Sequence, residues 1–352
     1  MKTQIHIIPT LQNGGAETVL SRLIEEFSGK GIEQFVITSQ GTTKDFHYAT
    51  INRYATIVDW KTNPTGVEQV ILQNPKAPII AWMYPAIFLV HKLKFRLKTE
   101  HPIFWNIRHS SFRWNQIYQK LALFAFSVYS RLKQPKIIYC SYRAKEVHEM
   151  YFFSKKNSAV IQNRLAKKQN SVPLEVNATD EESEPFFLYV GRYDPIKGPK
   201  RLVQITHTFF IENRGINLKI AGSGWTIDKI PKQIRDRVFL LGNVKSLYPL
   251  YRSAQALLFT SHAEGYPNVL VEAVVSGTPI IGFEAGDSKL ILDSYKFGYS
   301  VNTRSEFIEK LGFVLEKPVS EEEKEKEIFR QQKLLDFKAT TQEYLRFLEW
   351  SS

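Results

Sequence analysis

Glu264 and Glu272 are separated by seven residues within SHAEGYPNVLVEAVVSG, residues 261–277. An ionised carboxylate has two acceptor oxygens, so each of these residues can grip a pair of neighbouring hydroxyls, as on a ribose or a hexose. The surrounding residues indicate where such a ligand would lie. The apolar run ALLFT ends shortly before Glu264, and Gly265 lets the backbone approach a ligand closely. Pro267 suits the first position of a helix and Gly277 its C-terminal cap, which predicts a helix between them. Tyr266, Asn268 and Val269 fill the start of that helix. Its N-terminus would present unpaired N–H groups and a positive dipole end, suited to a diphosphate. Glu272, on the helix, is then placed for a ribose, and Glu264, on the loop, for a sugar beyond the phosphates. Two solvated glutamates would need none of this punctuation, which weighs for a ligand site.

Were such a ligand cleaved at its glycosyl–phosphate bond, negative charge would be left on a diphosphate. A metal held by an Asp-x-Asp pair often neutralises it, but the sequence has no such pair. Arg192 and Lys197 follow the apolar run FFLYV and Gly191, and can supply fixed positive charge instead. Read alone, they are two surface cations beside a turn. Gly14 and Gly15 open the first helical pattern and allow close approach to a phosphate, though the full G-x-G-x-x-G fingerprint is absent. Gly222 ends another apolar run and offers a turn at a ligand site. Arg108 and His109 directly follow the run from Pro102 to Ile107, the first a candidate for phosphate, the second for a sugar hydroxyl. A structural loop histidine is an equal reading of His109, and His148 and His207 are read as structural.

The elements that must position these residues are short apolar runs alternating with helical patterns. Leu20, Leu23, Ile24 and Phe27 repeat at helical spacing after the run Gln4–Pro9. Runs follow at 34–39, 56–60, 78–82, 102–107, 136–141 and 158–162, and a second series comprises FFLYVG, LKIAG, RVFLLG, ALLFT and PIIGF. This alternation predicts parallel sheets covered by helices, in an α/β chain of two domains. The polar stretch before Pro185 reads as the linker. The segment 321–350 reads as a helix, with EEEKEKE as its solvated face, and LALFAFSVY, residues 121–129, as a buried helix too short to span a bilayer.

A hydrophobic fraction of 43% can fill two cores, and the single cysteine, Cys140, excludes an intrachain disulfide. The net charge is +12, and residues 90–168 alone carry 17 Lys/Arg against 3 Asp/Glu. Such a basic stretch fits an anionic membrane, a phosphorylated partner or a nucleic acid. Lys92, Lys94, Arg96, Lys98, Arg131, Lys133 and Lys136 lie there among Phe88, Phe95, Phe112, Trp114 and Tyr129, a mixture suited to a membrane surface.

EGYPNVLVEAVVSGTPII resembles the signature of glycosyltransferase family 4, with its E-x7-E pair. YVGRYDPIKGPKRLV resembles that family's diphosphate loop, TLQNGGAETVLSRL its N-terminal glycine loop, and SYRAKEVHEM with VIQN the end of its first domain. The resemblance is closer in the second half. It implies the GT-B fold, two Rossmann-like domains with parallel sheets facing a central cleft, and a retaining, metal-independent transferase. It also implies an acceptor domain at 1–168, a linker at 169–185, a nucleotide-sugar domain at 186–336, and a helix at 337–352 packed back on the first. The chain departs from the pattern where Arg164 follows Asn163 and in the glycine spacing of TPIIGFEAGDSKLIL. No cofactor is expected beyond the nucleotide sugar as co-substrate. The expected acceptor is a glycan or lipid-linked glycan of surface polysaccharide or lipopolysaccharide synthesis, met at the cytoplasmic face of the membrane, and no nucleic acid is expected. A nucleotide-sugar hydrolase or epimerase and a non-catalytic basic binding protein are the competing classes.

Overall fold

The computed structural model describes residues 2–12, 14–40, 42–110, 117–164 and 184–349, the side chains of 117–120 excepted. The expected linker up to residue 183 lies outside these residues, as do Phe112 and Trp114. The chain divides into two compact units, Met1–Asn163 with Lys338–Ser352, and Arg164–Phe337.

Unit 1 runs β1 (Thr3–Ile8), α1 (Gly15–Ser28), β2 (Glu33–Thr38), α2 (Tyr48–Ile51), β3 (Thr56–Asp59), α3 (Pro64–Gln73), β4 (Ile79–Trp82), α4 (Met83–Leu97), β5 (Ile103–Ile107), α5 (Ile117–Lys133), β6 (Lys136–Tyr139), α6 (Tyr142–Met150) and β7 (Ser158–Val160). Its seven strands are parallel, in the order β3-β2-β1-β4-β5-β6-β7. The inner strands read as unbroken apolar runs because helices cover both faces of a parallel sheet. Leu20, Leu23, Ile24 and Phe27 of α1 are fully buried, as their spacing predicts.

Unit 2 runs β8 (Phe186–Val190), α7 (Pro199–Glu212), β9 (Asn217–Ala221), β10 (Val238–Gly242), α8 (Tyr248–Ser253), β11 (Ala256–Phe259), α9 (Asn268–Val275), β12 (Ile280–Phe283), α10 (Ser288–Ser294), β13 (Gly298–Val301), α11 (Arg304–Glu316) and α12 (Glu321–Leu334). Its parallel strands are ordered β10-β9-β8-β11-β12-β13. The strand order therefore reverses between β1 and β4 in unit 1 and between β8 and β11 in unit 2. Ligands of open parallel sheets bind beyond the carboxyl ends of strands at such a reversal. α13 (Phe337–Phe347) closes the chain on unit 1, where the Asn106 amide donates to the Tyr344 hydroxyl at 2.8 Å and Phe347 packs edge-on against Phe104.

Three local expectations are corrected. The segment 321–350 is two helices, since the backbone leaves helical geometry at Leu335 with neither Gly nor Pro to mark it. Helix α9 starts after Pro267, which sits in an extended cap conformation, so Glu272 is its fifth residue of eight. The run 121–129 is helical but not buried: Leu121, Phe124 and Val128 face outward, and Leu123, Ser127 and Ser130 face in. An apolar run that winds round a helix covers every side, whereas a helix lying on a sheet buries one stripe.

Candidate functional site

In unit 2 the residues singled out from the sequence gather at the β8/β11 reversal. Gly191 follows β8, and its carbonyl accepts from the Trp225 indole at 2.9 Å. Gly222 follows β9 at φ 146°, and a Cβ there would lie 2.3 Å from the Gly191 carbonyl oxygen. Only glycine permits that backbone crossing. Asp194 then caps the short 3-10 turn Pro195–Lys197 by accepting from the Ile196 N–H at 3.0 Å. The turn is tied to the end of β11, because the Lys197 carbonyl accepts from the Tyr189 hydroxyl at 3.0 Å and from Thr260 Oγ1 at 3.2 Å.

These ties aim Lys197 at Glu264. Lys197 Nζ donates to Glu264 Oε1 at 2.7 Å, and Ser261 Oγ donates to the same oxygen at 2.7 Å. The carboxylate side chain is 12% exposed and the ammonium 26%, so the pair is sheltered but open at one side. Burial, then the charges of Glu264 and Asp194, hold the Tyr189 hydroxyl above its ordinary pKa and keep it a neutral donor. Arg192 stands apart from the pair: its side chain is 63% exposed, and Nε lies 3.7 Å from Asp194 Oδ2.

Gly265 and Tyr266 lead from Glu264 into α9, and burial raises the Tyr266 hydroxyl above its ordinary pKa. Gly286 props this turn from below, since at φ 63° a Cβ would strike the Glu264 carbonyl oxygen at 2.3 Å. The Asp287 N–H adds a bond to the Gly265 carbonyl at 3.3 Å. Pro267, Asn268 and Val269 form the entry to α9. On the helix, Glu272 Oε2 accepts from the buried Tyr251 hydroxyl at 3.1 Å. Glu264 and Glu272 are thus each oriented by a neighbouring hydroxyl.

In unit 1, Gly14 caps α1 with an extended backbone and Gly15 begins the helix. Behind them the Glu17 carboxylate is buried and accepts from Thr10 Oγ1 at 3.2 Å. Arg108 and His109 follow β5 at the carboxyl edge of the sheet. Arg108 Nη2 donates to Asn163 Oδ1 at 2.5 Å, and its guanidinium lies 5.5 Å from the centre of the Trp82 ring. The His109 ring packs edge-on to Tyr84 and His148, and burial lowers its pKa to about 4. His148 is fully buried, with Nδ1 2.7 Å from the Ala144 carbonyl.

Sequence reading missed Ser261, Tyr251 and Gly286. Ser261 carries a local signal, standing three residues before Glu264. Tyr251 carries none, because it reaches Glu272 from another helix.

Solved structures of the same architecture cover the whole chain. Anabaena HepE in complex with UDP superposes with a TM-score of 0.75 at 14% identity, over 99% of this chain and 100% of that one. The fold is GT-B. WaaG, described as a glycosyltransferase involved in lipopolysaccharide biosynthesis, shares this GT-B architecture with a TM-score of 0.67 at 13% identity, over 97% of this chain and 98% of its own. Residues 174–333, just under half of the chain, match the family model for glycosyl transferases group 1. That stretch includes every unit 2 residue placed at the site above. Among curated proteins, the serotype-specific mannosyltransferase WbdA of Escherichia coli is 31% identical over 106 residues, which is 28% of this chain and 13% of WbdA.

Proposed function

We propose that the chain is a group 1 glycosyltransferase of the family 4 type, which moves a sugar from a nucleotide diphosphate to a glycan or lipid-linked glycan with retention and without a metal. The observation that carries this reading is the Lys197–Glu264 pair at the β8/β11 reversal, with Glu272 held by Tyr251 on the helix that follows. The group 1 match over the same residues and the WbdA likeness support it.

In this reading Arg192 and Lys197 stabilise the charge that develops on the departing diphosphate. An arriving diphosphate competes with Glu264 for Lys197, which frees a carboxylate oxygen to accept from the transferred sugar. Glu272 accepts from the ribose hydroxyls, while Gly191, Gly222 and the entry to α9 let the donor approach the backbone. In unit 1, neutral His109 orients a hydroxyl and Arg108 binds a phosphate. The acceptor would be met at an anionic cytoplasmic membrane surface during surface polysaccharide or lipopolysaccharide synthesis.

Thermal unfolding with a panel of nucleoside diphosphates, headed by UDP because HepE binds it, tests the proposal. One base should stabilise the protein, by about 2.7 kcal/mol at a hundredfold excess over Kd. A chelator should leave that shift unchanged, and Glu272→Ala should remove most of it. Stabilisation that appears only with added magnesium, or by single-stranded RNA and no nucleotide, would overturn the reading.

A further inference from the structure

The outward side of α5 is apolar over three turns. Leu121, Phe124, Val128 and Leu132 repeat at helical spacing, and all four are exposed. On α4, Phe88 and Phe95 are exposed, the latter by 89%. The two helices connect β4 to β5 and β5 to β6, three adjacent parallel strands. Right-handed crossovers place both on the same face of the sheet. The Tyr129 hydroxyl meets His91 Nδ1 at 3.2 Å between them, so they share one outer surface. Contiguous apolar surface of this kind marks an interaction site on a soluble chain.

The charge carried by these two helices themselves is of one sign. Neither α4 nor α5 contains an Asp or a Glu. Lys92 lies between Phe88 and Phe95 on the exposed stripe, and Lys98, Arg131 and Lys133 are exposed at the helix ends. Lys92, Lys98 and Lys133 have no carboxylate within 4 Å among the described residues, whereas Lys94, Arg96 and Lys136 are paired with Glu100, Glu68 and Glu349. Tyr129, one of the aromatics expected at a membrane, is half-buried, stacked on Trp105 and bonded to His91.

We propose that the α4–α5 face docks into the headgroup layer of an anionic bilayer, with Phe88, Phe95 and Phe124 inserted and Lys92, Lys98 and Lys133 on anionic headgroups. This rests on, and deepens, the reading of the chain as a transferase acting at a membrane. The charge pattern favours a bilayer over a second copy, because two such faces in contact would bring cations together with no carboxylate of either helix to offset them. The aliphatic stripe favours a bilayer over nucleic acid, since Leu and Val give bases no stacking surface. Amphipathic helices bind membranes by both terms at once, apolar burial and attraction to anionic lipid.

Co-sedimentation of the full chain with phosphatidylcholine vesicles, and with phosphatidylcholine–phosphatidylglycerol vesicles at 7:3, tests the surface. Binding should need the anionic lipid. A charge variant (Lys92→Glu, Lys98→Glu, Lys133→Glu) should weaken it more than about tenfold at low salt, each cation being worth about fivefold at such a surface. An apolar variant (Phe95→Ser, Phe124→Ser) should remove the binding that survives high salt, where the electrostatic part is screened. Phe329→Ser, an exposed site on α12, should change neither. Equal recovery in the supernatant with both vesicles overturns the proposal. So does a concentration-dependent dimer that the apolar variant disperses without any vesicle binding. Nucleotide stabilisation, measured on the same samples, should persist in every variant. Vesicle failure with nucleotide binding intact refutes the docking face alone, and loss of nucleotide binding in the wild type refutes the transferase reading instead.

Discussion

At the carboxyl edge of the unit 2 sheet, charged groups hold one another: Lys197 is bonded to Glu264, Arg192 faces Asp194, and a tyrosine orients Glu272. At the same edge of unit 1, His109 packs against the rings of Tyr84 and His148, and burial keeps both histidines neutral. Both sheets are parallel and both reverse order once, so architecture does not explain the difference. It follows from what each edge is suited to hold. Fixed charges preorganised by neighbours suit a ligand with a constant charged part, such as a diphosphate. The neutral rings around His109 suit an uncharged part of a ligand, such as a sugar hydroxyl, and leave Arg108 as the one cation named at that edge.

The largest test of this contrast is in turnover. Lys197→Ala should cost about 10²–10³ in kcat, the usual loss when one fixed electrostatic stabiliser is removed. His109→Ala, which removes one neutral hydrogen bond, should cost about fivefold, equivalent to about 1 kcal/mol. The readout is steady-state transfer from sugar conjugates of the nucleotide that the unfolding panel identifies. Equal losses in the two variants would break the contrast.

Acid should separate the units next. Burial lowers the pKa of His6 to about 3 and that of His148 to about 3, and lowers His47, His91 and His109 to about 4, all five in unit 1. In unit 2 His262, on an exposed loop, is also lowered. A folded-state pKa below the unfolded value of about 6.5 means that the unfolded chain takes up protons first as pH falls. Each deeply buried histidine therefore contributes stability that is present above pH ~6.5 and is lost below it, amounting to about 2 kcal/mol at pH 5. Hydrogen exchange between pH 7 and 5 should show unit 1 peptides losing protection before those of unit 2. The opposite order would mean that the buried imidazoles do not set acid stability.

The two units were also unequally legible in the sequence. The group around Glu264 could be read because its signals are local: Gly265, Pro267 and Gly277 mark a turn and a helix within a short stretch. The strands were visible as apolar runs for the same reason. Strand β13 was missed because GYSV is short and half polar and carries no such run. The outward face of α5 was misread because an apolar run records hydrophobicity but not the direction each residue points. Tyr251 and the neutral histidine cluster depend on residues distant in sequence that only the fold brings together.

The smallest test places one substitution in both units. Tyr251 and Tyr139 are both buried tyrosines. The Tyr251 hydroxyl donates to Glu272, whereas the Tyr139 hydroxyl has no hydrogen-bond partner among the described residues. A buried hydroxyl without a partner carries its desolvation cost uncompensated, so removing it should be neutral or stabilising. Removing the Tyr251 hydroxyl takes one bond from a carboxylate that is itself the expected ribose acceptor. Tyr251→Phe should therefore weaken nucleotide binding about fivefold, by about 1 kcal/mol, with little change in kcat. Tyr139→Phe should leave nucleotide affinity unchanged and the melting temperature equal or higher. Calorimetric titration with the stabilising nucleotide, alongside thermal unfolding, reads both. Unchanged affinity in Tyr251→Phe would show that Glu272 needs no orienting partner, and the preorganisation claimed for unit 2 would then rest on the Lys197–Glu264 pair alone.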